Sequence, residues 1–265
     1  MTRSRPWAVA ALGIASRLTV LLLLAAPATA ADPARPLAKI AFGSCADQNK
    51  PCPVWDKIAD QKPEALILLG DNMYADLLDD GKLKPAGPAQ IARCYEALAA
   101  TPGWQRVRAA VPTILPIWDD HDYGHNDAGV EWQHKDAAQK LLLDFFNVPA
   151  DSPRRTRKGV YFAETFGPPG KRTQVILLDT RYHRSPLATG GPATIFPYGL
   201  IRKPYLRTTD PAATLLGEEQ WKWLEEQLKQ PADLRLIGTG IQVVSDEHPF
   251  EKWGTSRPSR TGCSG

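Results

Sequence analysis

Neither sign of charge is in excess in this sequence of 265 residues: 32 basic and 29 acidic side chains leave a net charge of +3. The basic residues are scattered, which excludes a nucleic-acid-binding stripe and a polybasic membrane anchor. A membrane span is also not expected. The most apolar stretch, Leu18 to Ala26, is too short to cross a bilayer, and Arg17 interrupts the apolar region before it. Cysteine is scarce, with four residues at positions 45, 52, 94 and 263. Spacing alone does not fix their connectivity. No internal repeat and no domain boundary is visible, and the length suits a single large core.

What is present at the N-terminus reads as a targeting segment. Arg3 and Arg5 make a basic start, Leu18 to Ala26 has the length of a signal-peptide core, and Ala28-Thr29-Ala30 is a small-residue cleavage site. A secretory signal peptide over residues 1–30 is expected, with cleavage near Ala30 and the mature chain starting near Ala31. The mature chain is then periplasmic or extracellular, an oxidising setting in which one disulfide is expected. Cys52–Cys94 is the favoured pair, because Cys45 has another use.

The mature chain alternates apolar runs with amphipathic segments. Strands are expected at Lys39–Cys45, Ala65–Leu69 and Val111–Trp118, with helices at Pro53–Gln61 and Pro88–Ala100 between them. Strand, helix, strand, helix, strand is the order of a layered α/β domain. A helix at Lys135–Phe146 follows, then a basic segment, Ser152 to Lys158, read as a solvated loop. Gly159–Ala163 and Gln174–Leu178 read as paired strands around a Gly-Pro-Pro-Gly turn. Ser185 to Asp210 reads as a long surface loop. Leu216–Leu228 is an amphipathic helix with Trp221, Leu224 and Leu228 inward, and Arg235–Val244 is the last strand.

Three of these strands end in chemistry. The first ends at Cys45, the second at Gly70-Asp-Asn-Met-Tyr-Ala-Asp76, and the third at Trp118-Asp-Asp-His-Asp-Tyr-Gly-His-Asn-Asp127. Open α/β sheets bind ligands at the carboxyl ends of their strands. Cys45, Asp71, Tyr74, Asp120 and His121 together form a donor set that mixes hard oxygens with a thiolate. Thiolate and phenolate favour ferric iron, whereas carboxylates suit calcium or a second transition metal. Two such ions can clamp a phosphoryl group. Taken singly, Cys45 could equally be a buried apolar residue or half of a disulfide, and Tyr74 could be core.

The segments Phe42-Gly-Ser-Cys45, Gly70 to Asp76, Trp118 to Gly124 with Asn126, and Leu178-Asp-Thr-Arg181 resemble the alkaline phosphatase D family of PhoD-like phosphatases. This family falls within the calcineurin-like metallophosphatases. Leu216-Gly-Glu-Glu-Gln-Trp221 and Glu251-Lys-Trp-Gly254 are similar to further family positions. The resemblance spans Lys39 to Gly254 and implies a four-layer α/β/β/α sandwich, incomplete at its C-terminus, over residues 31–254. It implies iron at Cys45, Asp71 and Tyr74, with Asp71 shared with a second metal such as calcium. Asp120 matches the position of the superfamily's asparagine ligand. His121 matches the histidine that contacts phosphate and protonates the leaving oxygen, and Asn126 and Arg181 match contacts to metal or phosphate. The implied activity is hydrolysis of small phosphate mono- and diesters.

The sequence departs from the family in one respect. A late Gly-Asp-x-His element that supplies further ligands is absent; the histidines are His121, His125, His134, His183 and His248. Residues 255–265 show no apolar periodicity and read as a tail foreign to the fold. The alternative expectation is therefore a truncated, catalytically inactive relative.

Overall fold

The computed structural model describes residues 32–195, 201–244 and 248–256. The signal-peptide expectation and most of the 255–265 tail lie outside the described residues. Strand β1 (Ile40–Gly43), helix α1 (Val54–Gln61), strand β2 (Ala65–Leu69), helices α2 (Pro88–Ala100) and α3 (Pro102–Ala110) and strand β3 (Thr113–Ile117) follow in order. They build a parallel sheet of order β1-β2-β3, with Ile40 opposite Ala65 and Ala65 opposite Thr113. Parallel strands joined by helical crossovers all point the same way, so their C-terminal ends share one edge of the sheet. Ala65 to Leu68 are buried, which is why this run is continuously apolar rather than alternating.

Helix α3 was not foreseen. Thr101-Pro-Gly reads as a break, yet Pro102 opens a new helix, because a proline at the first helical position gives up no hydrogen bond. Trp104 of α3 meets Trp55 of α1 edge-on, with ring centroids 5.3 Å apart.

Beyond β3 come a single-turn helix α4 (Asp120–Tyr123) and helix α5 (Lys135–Phe145). A second sheet follows, of order β10-β5-β4: β4 (Phe162–Phe166) is antiparallel to β5 (Thr173–Leu177), and β10 (Leu234–Gly238) is parallel to it. The pairing of β4 with β5 was expected, although β4 begins three residues later than the apolar pattern suggested. β10 ends at Gly238 rather than continuing to Val244. Residues 185–210 carry four two-residue strands, β6 (Ala188–Thr189), β7 (Thr194–Ile195), β8 (Ile201–Arg202) and β9 (Tyr205–Leu206), paired β6 with β9 and β7 with β8.

β5 shows how the second sheet is held. Val175 and Leu177 join the main core with Ile67 and Leu115 of the first sheet, whereas Ile176 and Leu178 pack with Leu216 and Leu224 on the other side. This alternation is the two-residue period of a strand buried on both faces. Each such side chain stabilises the fold by about 1.5–3 kcal/mol relative to full exposure. Helix α6 (Gly217–Leu228) supplies Leu224 and buries Gln220, but Leu228 stays exposed instead of turning inward. The two sheets approach closely at Gly238, where a Cβ would fall within 2.7 Å of both Leu177 and Leu69.

Two sequence expectations are overturned here. Cys52 and Cys94 are free thiols. Cys94 is buried on the inner face of α2, its Sγ 3.8 Å from the Tyr74 carbonyl. The basic segment is not a solvated loop either. Pro153–Arg155 forms a turn of 3-10 helix, and Arg154 is buried with its Nη2 donating to the Pro116 carbonyl at 2.8 Å.

Candidate metal centre

The shared edge of β1, β2 and β3 collects the acidic residues. Gly70 leaves β2 at φ +104°, and a Cβ there would lie 2.4 Å from the Asp119 nitrogen. Only glycine lets the loop after β2 pass this close to the loop after β3. Cys45 and Asp71 also adopt left-handed backbones, at φ 64° and 51°. Such conformations in non-glycine residues cost on the order of 1–3 kcal/mol and concentrate at functional sites. Backbone bonds from Cys45 N to Gly70 O and from Ala46 N to Asp71 O, at 3.3 and 2.8 Å, tie the first loop to the second.

Asp71 sits at the centre. Its Oδ2 accepts from the Cys45 thiol at 3.5 Å and from the Tyr74 hydroxyl at 3.2 Å, and its Oδ1 accepts from the His121 N–H at 3.4 Å. Donor atoms of Asp71, Asp120 and His121 lie within 4.8 Å of one another, and so do those of Asp119, Asp120 and Glu251. Asp120 thus belongs to both groups. The short helix α4 makes this possible through a capping box. Asp119 caps the N-terminus, and the Asp122 carboxylate accepts from the Asp119 N–H at 2.6 Å. Asp122 also accepts from the Asn72 N–H at 2.8 Å, which fixes the second loop against the third.

Electrostatics shows what the pocket is short of. Burial pushes the Cys45 thiol and the Tyr74 phenol up, and the Asp71 charge adds to both. Burial and the neighbouring Asp120 push Asp71 up to about 6. Three groups that bind metals as anions are thus held against ionisation by crowding and burial. A cation among them would reverse that. The donor set fits a metal.

His121 differs from these acids. Burial pulls its pKa down, but the hydrogen bond to Asp76 and the charges of Asp120 and Asp71 outweigh this and raise it to about 9. Its Nδ1 lies 2.6 Å from Asp76 Oδ1, and its ring stacks at a tilt on Tyr74 with centroids 4.1 Å apart. Asp76 is 1% exposed.

Arg181 occupies the floor. It is fully buried; its Nε donates to Asp119 at 2.6 Å, and Nη1 and Nη2 clamp the Glu251 carboxylate. Despite burial, the Asp119 and Glu251 charges raise its pKa, so it stays cationic. Burial lifts Asp119 and Glu251 above the carboxylate range even with Arg181 beside them. Asp120 moves the other way: burial is outweighed by Arg181, His121 and the Asp127 N–H, and it falls below its ordinary value. Arg184, also buried, donates to the Asp127 carbonyl and lies 3.7 Å from Glu251.

The structure brings Cys45, Asp71, Tyr74, Asp120 and His121 together at one edge. Arg181 lies beneath that edge with its guanidinium committed to carboxylates, and Asn126 stands in the following loop, donating to Asp127 Oδ2 at 2.6 Å. Asp76, Asp119 and Glu251 were missed as site residues. Asp76 and Asp119 lie inside the strand-end segments already singled out, and Glu251 opens Glu-Lys-Trp-Gly. Residue type alone did not separate them from their neighbours.

The sequence profile of PhoD-like phosphatases matches residues 40–257. The chain belongs to the PhoD-like phosphatase family. That match extends past Gly254, and Thr255 and Ser256 are buried, with Thr255 O accepting from the Thr208 N–H at 3.0 Å. A solved structure titled "Structure of PhoD" superposes on 82% of the chain with a TM-score of 0.58 at 19% sequence identity. At that identity the likeness concerns the fold, and it covers 43% of the PhoD chain. A search of curated proteins returns no match.

Proposed function

We propose that this PhoD-family chain is a secreted metal-dependent phosphatase that hydrolyses small phosphate mono- and diesters. The two facing sheets, with α6 outside the second, support the four-layer sandwich of the metallophosphatases. The observation that carries the proposal is the meeting of Cys45, Asp71, Tyr74, Asp120 and His121 at the ends of three parallel strands. Cys45, Asp71 and Tyr74 would hold one ion, iron by family resemblance, and Asp71 with Asp120 a second such as calcium. Bound there, the cations would supply positive charge to the phosphoryl oxygens and make water more acidic.

The chain's own groups do the rest. Asp76 engages Nδ1 of His121 and fixes the ring, which leaves Nε2 for the substrate. The bond to Asp76, which with the Asp120 and Asp71 charges raises the metal-free His121 to about 9, also stabilises its protonated form beside bound cations, so that His121 can give a proton to the leaving oxygen. Arg181 holds Asp119 and Glu251 against self-repulsion, so that Asp120 beside them keeps its place. Asn126 stands in the loop whose Asp127 N–H donates to Asp120 at 2.7 Å, and by family resemblance it would contact phosphate or metal.

A second reading is a metal-binding relative without turnover. It is favoured by the composition of the two groups: among the described residues, His121 is their sole histidine, and the second group already has Arg181 as counter-charge. Metal analysis of the purified chain, followed by assay with bis(p-nitrophenyl) phosphate, separates the two. Bound metal with turnover supports the phosphatase; bound metal without turnover supports the second reading. A chain that takes up no metal under any loading condition overturns both.

A further inference from the structure

One sizeable cavity lies away from the metal centre. It measures about 990 Å³ and opens along the seam between β3 and β4, the outer strands of the two sheets. None of the acidic residues described above lines it. Its walls are apolar and ring-rich, with Trp104, Phe146, Phe162 and Trp223, and its charged residues are Arg108, Arg154, Arg157 and Glu164.

Two of those arginines are unusual. Arg154 is 5% exposed, its guanidinium lies 4.0 Å above the Phe162 ring, and its Nε is buried without a partner. Arg157 stacks 3.8 Å over Tyr161 and 5.4 Å from Trp223, and its Nε is likewise buried and unpartnered. Among the described residues, no carboxylate lies within 4 Å of either guanidinium. Glu164, at the rim, is therefore not a counter-ion in contact. Burial lowers the pKa of both arginines. Glu164 and Asp179 act on the buried Arg154, and Asp179 on the half-buried Arg157, only from beyond contact distance, whereas a buried guanidinium is nearly always paired directly with an anion, since a cation without a contact partner is costly in a low-dielectric site. Ring faces offset only part of that cost.

We propose that this seam is a binding site for an organic anion: a carboxylate carried on an apolar body of ring size. Arg154 and Arg157 would bind the carboxylate, and the indole and phenyl walls would cover the body. This placement does not depend on the activity proposed for the metal centre. A pocket of this kind, mostly apolar with a few convergent polar groups, is the usual form of a small-molecule site.

The test is titration calorimetry on the full mature chain in the presence of a chelator, so that carboxylate binding to a metal does not contribute. The probes are 2-naphthoate and its neutral analogue 2-naphthamide. Naphthoate should bind saturably, and naphthamide about tenfold to a hundredfold more weakly, the difference expected from charge-assisted hydrogen bonds. Arg157→Gln should weaken naphthoate to the level of the amide, and Trp223→Ala should weaken both probes. Should either variant fail to fold, the comparison of the two probes on the native chain still decides. Equal affinity for acid and amide, no saturable binding of naphthoate, or full affinity in a folded Arg157→Gln chain would each overturn the proposal.

Discussion

Arg181 offers the sharpest test of how the site is held together. Replacing it by methionine keeps most of the side-chain volume and removes the cation. Asp119 at 2.5 Å and the clamped Glu251 then face each other buried and unneutralised, with Asp120 at 3.9 Å from the lost charge. Removing one partner of a buried ion pair costs about 3–5 kcal/mol. At about 2–4 °C per kcal/mol for a domain of this size, the melting temperature should fall by about 6–20 °C.

The sign of the pH dependence follows from the same groups. Asp119 and Glu251 already titrate above the ordinary carboxylate range in the native chain, and losing Arg181 raises them further. A carboxylate raised in the folded state binds more protons there than in the unfolded chain, so stability falls as pH rises past its unfolded value, about 4. The deficit of Arg181→Met relative to the native chain should therefore be small near pH 4.5 and largest near pH 8, by about the 3–5 kcal/mol above. Chemical denaturation with chelator present, at both values, measures it. A deficit of equal size at the two pH values would mean that packing, not charge, is what Arg181 provides, and would refute the reasoning.

Three further outcomes are expected. His121→Ala should lower the rate by about a hundredfold or more for esters with poor leaving groups and less for good ones; equal losses would assign His121 to phosphate positioning alone. Asp76→Asn keeps an acceptor for His121 Nδ1 but removes the charge behind that bond, so in metal-free chain the His121 pKa, followed by NMR, should drop below about 9 while Asp120 and Asp71 still hold it up. His121 stabilises the native chain fully below its unfolded value, about 6.5, and that contribution fades as pH rises through the folded value, so the variant should lose part of this alkaline-side slope. Asp71→Ala should abolish bound metal measured by elemental analysis, and chelator should then leave its melting temperature unchanged while lowering that of the loaded native chain.

Much of this fold is local and was therefore legible in the sequence. Continuous apolar runs announced β2 and β3, because a strand covered on both faces has no polar side to show. The order of strands and helices implied a parallel sheet, and a parallel sheet puts Cys45, Asp71 and Asp120 on one edge whatever the packing around it. Tertiary structure decided what local pattern does not encode. Asp119 and Asp120 are neighbours of the same type, and only the capping geometry of α4 turns one toward Arg181 and leaves the other shared between both donor groups. Asp76 with His121 pairs the segments after β2 and β3, and Arg181 with Glu251 pairs those after β5 and β10, each set by which strands lie side by side in their sheet. Arg154 and Arg157 read as a solvated loop because their residue types usually are solvated. The burial of Arg154 and the half-burial of Arg157 follow from the seam between β3 and β4, a feature that exists only once the two sheets have met.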